Sequence, residues 1–431
     1  MTTLQVTGGQ VLTPEMTVET ADVLIDQESG TIQEIGEHVG AGDSTLDADQ
    51  CLVMPGLVNA HTHVAMTLLR GYSDDKPVDA WLEDDIWPIE AALTPEDIRA
   101  GAELGMLEMI KSGTTAFCDM YFEMDQIAAA VEETGVRARL GYGMVTAGKS
   151  EAEAIEELQE GLEVALSLER GTSDRIQAAY MPHSLTTADL DAMQEPLTAA
   201  RGAGLPVHYH ANESLAFVDP IVDEHDMRPL AYADDHGLLE SGDFLAHGVH
   251  LNDEEIELLA RRDAGVVHCP GSNMKLASGM APVKSLRDAG VPVGIGTDGA
   301  ASNNDLDMFD ELQDAALLGK LASEDPRAIP AETAVRMATA EGADVIGIQT
   351  GRIAEGWPAD LAVVDMTAPH LQPRHDPVSH LAYAATGADV RHTICDGEIL
   401  MRNRDCLTID EAAIIDRARA AATSLVDRAT S

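Results

Sequence analysis

Apolar and polar positions divide the chain into three stretches. From Leu4 to about Val53 they alternate, with turns at Gly8-Gly9 and Glu28-Ser29-Gly30, which is the period of short antiparallel strands. The alternation returns late, at Gly351-Arg352-Ile353, Ala359 to Val364, Val390 to Cys395 and Glu398 to Met401, with Asp396-Gly397 as a hairpin turn. Between these ends, short apolar runs alternate with helical stretches. The runs are Leu57 to Ala60, Thr115 to Cys118, Ala138 to Tyr142, Ile176 to Tyr180, Val207 to His210, Phe244 to His247, Val266 to His268 and Val293 to Gly296. Strands that alternate with helices predict a parallel sheet wrapped by helices, and eight such units close a barrel. Helix ends are legible too: Thr94-Pro95 opens one that Gly113 stops, and Asn252 opens another that Gly265 ends. Ile409 to Arg428 reads as an amphipathic helix. The expected fold is α/β, a (β/α)8 TIM barrel over residues 55–349, with a small β-sandwich domain formed by both chain termini, residues 1–54 and 350–431, the last carrying the C-terminal helix.

Composition narrows the partners. Of 431 residues 45% are hydrophobic and only 3% aromatic, so the core is aliphatic, and the length suits one large domain with a smaller one appended. The 75 acidic residues against 27 basic ones give a formal net charge of -48, and Lys76, Lys111, Lys149, Lys275, Lys284 and Lys320 are all the lysines. Nucleic acid is excluded as a partner, because phosphate binding needs a basic footprint. Self-repulsion on this scale is tolerable where salt shortens the Debye length to about 3 Å near 1 M, which points to a halophile's cytoplasm. The five cysteines, Cys51, Cys118, Cys269, Cys395 and Cys406, form no CxxC pair, and neither disulfides nor a thiolate metal site is expected. No basic-then-apolar leader opens the chain and no stretch reaches membrane-span length, so a cytoplasmic protein with no membrane partner is expected.

His61-Thr62-His63 follows the first barrel strand, where alternate side chains share a face, so both imidazoles can reach one metal. His210 follows the fifth strand, His247 the sixth and Asp298 the eighth. Singly, these read as a core histidine, a helix-cap contact and an Asx turn. Jointly, at the carboxyl ends of barrel strands, imidazoles and a carboxylate make a nitrogen and oxygen shell suited to zinc or iron(II) with a place left for water.

The segments PGLVNAHTH, HxHxxE at His208 to Glu213, AHGVHL, VHCPGSNMKL and GTDGAASNN resemble the amidohydrolase superfamily over nearly the whole chain. The nearest resemblance is to methylthioadenosine/S-adenosylhomocysteine deaminases and archaeal 5′-deoxyadenosine deaminases. It implies one divalent metal per subunit, Zn2+ or Fe2+, on His61, His63, His210 and Asp298. Tyr180-Met181-Pro182-His183 offers no lysine to bridge a second ion. The implied reaction is hydrolytic deamination of a 5′-modified adenosine to the inosine derivative and ammonia. Glu213, His247 and Asp298 are its catalytic residues: Glu213 the proton donor to the purine, His247 orienting the attacking oxygen, Asp298 accepting the water's proton. Glu90 and His183, together with Glu213 and Asp298, contact the nucleoside, Glu90 through ribose hydroxyls. The resemblance also implies a homo-oligomer, a dimer or tetramer.

Guanine or cytosine deamination and s-triazine dechlorination use a similar shell, and a non-catalytic metal-binding scaffold is the reading from another class. Glu90 with His183 favours a nucleoside over a free base. Lys149 is the nearest basic residue to the loop where relatives place an arginine for the homocysteine carboxylate. Met274 and Met280 are candidates either for an apolar 5′ pocket or for the core. His208, His250 and His268 are assigned to support or packing, and His225 and His236 to a helical excursion.

Overall fold

The computed structural model describes residues 2–171 and 173–430. The central stretch forms two parallel sheets. Leu57–Thr62, Thr114–Tyr121, Arg137–Met144 and Ile176–Ala178 pair in that order, with Met181–Pro182 also on Arg137–Met144. His208–Ala211, Phe244–His247, Gly265–His268 and Val293–Ile295 make the second. Most of these strands are buried along their whole length, as parallel strands covered on both faces must be, which explains their unbroken apolar runs.

The sheets meet at two seams. Parallel bridges Tyr180 to Val207 and Ser184 to His210 join the fourth unit to the fifth. At the other seam the Asp298 amide donates to the His61 carbonyl at 3.0 Å, and the Asn59 side chain donates to Thr297 Oγ1 at 2.7 Å and accepts from its amide at 3.0 Å. Gly296 is required there: a Cβ on it would lie 2.7 Å from the backbone nitrogen and oxygen of His61. The strand ladder itself is not continuous across this seam.

Helices follow the strands, with both anticipated starts and one of the two anticipated stops. Pro95–Ser112 starts on a reciprocal Thr94 and Asp97 capping box and stops at Gly113, φ 85°. Asp253–Arg262 starts on Asn252 as expected, but Asp263 at φ 56° ends it, and Gly265 opens the next strand instead. The expected fourth strand, Ile176 to Tyr180, is also divided, because Tyr180 leaves the third strand to bridge Val207.

Both termini build two further sheets. One holds Thr3–Thr7, Asp22–Asp26, Thr31–Gly36 and Ser44–Asp47; the other holds Gln10–Leu12, Val18–Thr20 and Cys51–Pro55 with Leu361–Asp365, Val390–Cys395, Glu398–Arg402 and Asp405–Cys406. Leu4, Ile25 and Leu46 of the first share one apolar cluster with Val53, Leu361 and Ile394 of the second. The antiparallel expectation is corrected in two places. Thr3–Thr7 pairs parallel with Ser44–Asp47, and Gln10–Leu12 with Cys51–Pro55, since chain re-entering from a long excursion is not bound to hairpin geometry. Gly351-Arg352-Ile353 is not a strand, although Ile353 is buried in the shared cluster. Asp396 and Gly397 take positive φ, 54° and 72°, as a two-residue hairpin turn requires.

Arg137 of the third central strand ties the central stretch to these sheets, donating to Asp360 at 2.9 Å and Asp396 at 2.6 Å. The C-terminal helix Glu411–Ala429 lies against Pro95–Ser112, with Arg428 paired to Asp97 and Arg417 to Glu103. Among the described residues no helix is long and apolar enough to cross a membrane.

Candidate functional site

The carboxyl ends of the central strands converge. His61 and His63 come from the first strand's end, His210 from the fifth and Asp298 from just after the eighth, and one donor atom of each lies within 4.8 Å of all the others. The closest separations are His63 Nε2 to Asp298 Oδ1 at 3.2 Å, His61 Nε2 to the same oxygen at 3.5 Å, and His63 Nε2 to His210 Nε2 at 3.2 Å. Four ligands roughly 2.05 Å from one tetrahedral ion would stand roughly 3.3 Å apart. The donor set therefore fits a divalent metal.

Each ring is aimed by its other nitrogen. His63 Nδ1 donates to the Met120 carbonyl at 2.6 Å, His210 Nδ1 to the His183 carbonyl at 2.7 Å, and His61 Nδ1 lies 2.8 Å from His208 Nε2. Asp298 is aimed by two hydroxyls: Ser272 and Ser302 donate to Oδ2 at 2.7 and 2.8 Å, which turns Oδ1 toward the imidazoles. His61 Nε2 is fully buried with no hydrogen-bond partner, a costly state for a nitrogen that nothing else is to occupy. Asp298 at φ 62°, His247 at 73° and Asn212 at 53° take left-handed backbone at these strand ends.

Burial and charge set the proton affinities. Burial holds His61 down to about 4. It opposes a proton on His63 as well, but the Asp298 carboxylate overrides it and lifts that ring to about 9. Burial alone would raise Asp298, yet His61 and His63 keep its carboxyl well below the usual range. Burial raises Glu213, with the nearby His247 pulling the other way; the two side chains are 3.9 Å apart. His247 Nδ1 donates to Asn273 Oδ1 at 3.0 Å, which leaves Nε2 facing Glu213.

The remaining anticipated residues line the same cavity, of about 830 Å3. That size suits a drug-sized ligand. Glu90 accepts from the Tyr121 hydroxyl at 2.6 Å, and burial pushes its carboxyl up to about 7. His183 contacts Thr187 Oγ1 at 2.9 Å, its ring centre 4.6 Å from that of His210, and burial holds it down near 3. Trp81, Trp87, Phe122, Tyr142 and Phe217 supply an aromatic wall. Every lining lysine or arginine is missing among the described residues, while Glu123, Asp125 and Glu160 are present at the rim.

Three expectations need correction or completion. Lys149 does not line the cavity; its ammonium is engaged by Glu157. Met274 and Met280 belong neither to the cavity nor to the core, being 43% and 51% exposed, and Leu276 lines the cavity between them. His225 stacks on Tyr232 and His250 donates to the Ser278 carbonyl, as structural residues do. Sequence reasoning missed Ser272, Ser302, Asn273 and Tyr121. The first three lie inside the quoted motifs VHCPGSNMKL and GTDGAASNN or at their core, and Tyr121 ends a strand read as stopping at Cys118.

Comparison with known proteins bears on this arrangement. The amidohydrolase family model matches residues 52–400. A 5-methylthioadenosine/S-adenosylhomocysteine deaminase of Natronomonas pharaonis is 60% identical over 429 residues, covering 100% of this chain and 99% of that protein. A 5′-deoxyadenosine deaminase of Methanosarcina acetivorans is 45% identical over 404 residues, 93% of each. The crystal structure of an adenosine deaminase from Xanthomonas campestris with bound zinc is similar with a TM-score of 0.90 and 36% identity, over 98% of both chains. A triazine hydrolase, at TM-score 0.89 and 24% identity over 98% of this chain and 100% of that one, shares the fold alone.

Proposed function

Because the chain belongs to the amidohydrolase family, we propose that it deaminates 5′-modified adenosines hydrolytically, giving the inosine derivative and ammonia. The observation that carries the reading is the meeting of four aimed donor atoms with Glu213 and His247 beside them in a cavity that also holds Glu90. A divalent ion on His61, His63, His210 and Asp298, zinc in this reading, supplies a Lewis acid and a water acidic enough to act as a nucleophile near neutral pH.

The chain's own residues do the rest. Asp298 Oδ1 takes the proton of the attacking water, its partner oxygen fixed by Ser272 and Ser302. Glu213, whose proton affinity burial raises, donates a proton to the purine nitrogen beside the attacked carbon. His247 Nε2 orients the attacking oxygen while Asn273 holds the other side of the ring. The carbon–oxygen bond forms first; the amino nitrogen then takes the proton held by Asp298, the carbon–nitrogen bond breaks to release ammonia, and the hydroxyl proton of the adduct returns to Glu213 as the oxo group forms. Glu90, braced by Tyr121, accepts from the ribose hydroxyls, and His183 contacts the nucleoside. Lining acids and the engaged Lys149 favour an uncharged 5′ group, as in 5′-deoxyadenosine or methylthioadenosine, over the homocysteine carboxylate.

The two seams support a closed (β/α)8 barrel over 55–349, and the shared apolar cluster supports a sandwich of 1–54 with 350–431. The net charge of -48 supports work in a salt-rich cytoplasm, and the reading includes a homo-oligomer. Retained fold and activity after dialysis into millimolar salt would remove the first of these, and a monomer by light scattering the second.

The decisive experiment follows the ultraviolet change from the adenosine to the inosine chromophore in molar salt. Turnover of 5′-deoxyadenosine and methylthioadenosine, faster than of S-adenosylhomocysteine and lost on chelation, is the expected result. A flat trace with every adenosine analogue would sink the reading and leave guanine, cytosine, triazine or scaffold roles to be tried.

A further inference from the structure

Two of the three imidazoles at the metal centre are aimed by backbone carbonyls. Met120 O and His183 O can only accept, so His63 and His210 carry hydrogen on Nδ1 and turn Nε2 toward the metal site. His61 is different. Its Nδ1 meets another side chain, His208 Nε2, at 2.8 Å, and an imidazole nitrogen can donate or accept.

His208 and His210 alternate on one strand, so both point inward, His208 one layer below the ligands. Both His61 and His208 are fully buried. What decides the direction of their contact is the far side of His208: its Nδ1 lies 3.0 Å from the Phe244 carbonyl, and the Phe244 ring stacks on it with centroids 4.3 Å apart. The carbonyl accepts, so His208 Nδ1 carries the hydrogen. A neutral ring then has a lone pair at Nε2, which accepts from His61 Nδ1. That assignment leaves His61 Nε2 with the lone pair, at a nitrogen that makes no hydrogen bond. The opposite tautomer of His208 would set two N–H groups against each other across 2.8 Å and drive His61 to hold its hydrogen on Nε2, where the metal should sit.

We propose that His208 is a positioning residue: a buried imidazole relay from the Phe244 carbonyl through His208 to His61 fixes the tautomer of His61 and so makes its Nε2 a metal donor. The role given elsewhere in the site to a carbonyl is played here by a ring that is itself set by a carbonyl. The proposal rests on the metal reading of His61, and its test separates the two.

In metal-free wild-type protein, 15N spectra of labelled histidine are expected to show His61 and His208 both protonated at Nδ1 and bare at Nε2; His208 protonated at Nε2 overturns the relay whatever the protein binds. Zinc affinity, read by chelator competition in molar potassium chloride, supplies the second arm. His208→Phe keeps a ring against Phe244 and loses the acceptor, and its zinc dissociation constant should rise roughly 10–100-fold, the usual effect of removing a ligand's hydrogen-bond partner. His208→Gln, whose amide oxygen can accept from His61 Nδ1, should recover most of that loss. Wild-type zinc affinity in His208→Phe, or an equal loss in both variants, overturns the proposal. Should His208→Phe fail to fold, or wild-type protein bind no zinc, the wild-type spectra decide alone, and the second of those results strikes the metal reading instead.

Discussion

Two buried polar clusters hold this molecule's far-apart segments together, and they are completed in opposite ways. At the junction of the central strands and the terminal sheets, Asp360 accepts from Arg137, from the Thr350 hydroxyl at 2.6 Å and from the Asp396 amide at 2.7 Å. Every charge there has its counter-charge in the chain. At the strand ends, three imidazoles and one carboxylate face inward, and His61 Nε2 is left without a partner. A satisfied cluster contributes to folding; the other sets four donor atoms around one point. Buried groups are paired as a rule, and His61 Nε2 is one of several exceptions; it marks the site because three other donor atoms are gathered around it.

This contrast can be broken by substitution. The largest effect is expected at the open cluster: Asp298→Ala removes a ligand and the proton acceptor together, and turnover should fall by more than about 10⁴-fold, the upper end for one acid-base group. Metal analysis should show depleted protein. Glu213→Gln should lower kcat by about 10²–10⁴-fold while metal content stays at the wild-type level. Unimpaired kcat would take Glu213 out of the chemistry.

Arg137→Ala should act on the closed cluster alone. Leaving the Asp360 carboxylate buried and unpaired costs about 3–5 kcal/mol of unfolding free energy, measured by denaturant at fixed molar salt. Turnover per folded molecule should not change; a comparable loss of kcat would mean the two clusters are coupled. The smallest effect concerns Glu90. Its carboxyl is raised to about 7 by burial, with Tyr121 and the charge of His63 opposing, so it is protonated below that pH and a full acceptor above it. KM for the nucleoside should therefore fall as pH rises from 6 to 8, by at most about tenfold per unit, and Glu90→Gln should flatten that dependence.

The parts of the fold written in local pattern were legible. Apolar runs located all eight central strand positions, and Phe244–His247 and Val390–Cys395 have the anticipated limits. His61, His63, His210 and Asp298 were recognisable because each follows such a run. What escaped depends on partners distant in sequence. Tyr121 is still in its strand because its neighbour Tyr142 continues the ladder, and it matters because its hydroxyl reaches Glu90. The parallel pairing of Thr3–Thr7 with Ser44–Asp47 leaves no trace in alternation, which has the same period in either direction. Lys149 looked available because its engagement by Glu157 depends on how the helix Glu151–Glu169 packs.

Gly296 sits where the last central strand brushes the first, too near His61 for even a methyl group. Since Asp298 rides two residues beyond it and His61 and His63 ride on the opposing strand, the gap between those backbones is also the gauge of the coordination polyhedron. An alanine there would touch no substrate and no ion, yet it would pry the carboxylate from the imidazoles. The smallest residue in the neighbourhood thus calibrates the reach of the largest assembly of donors.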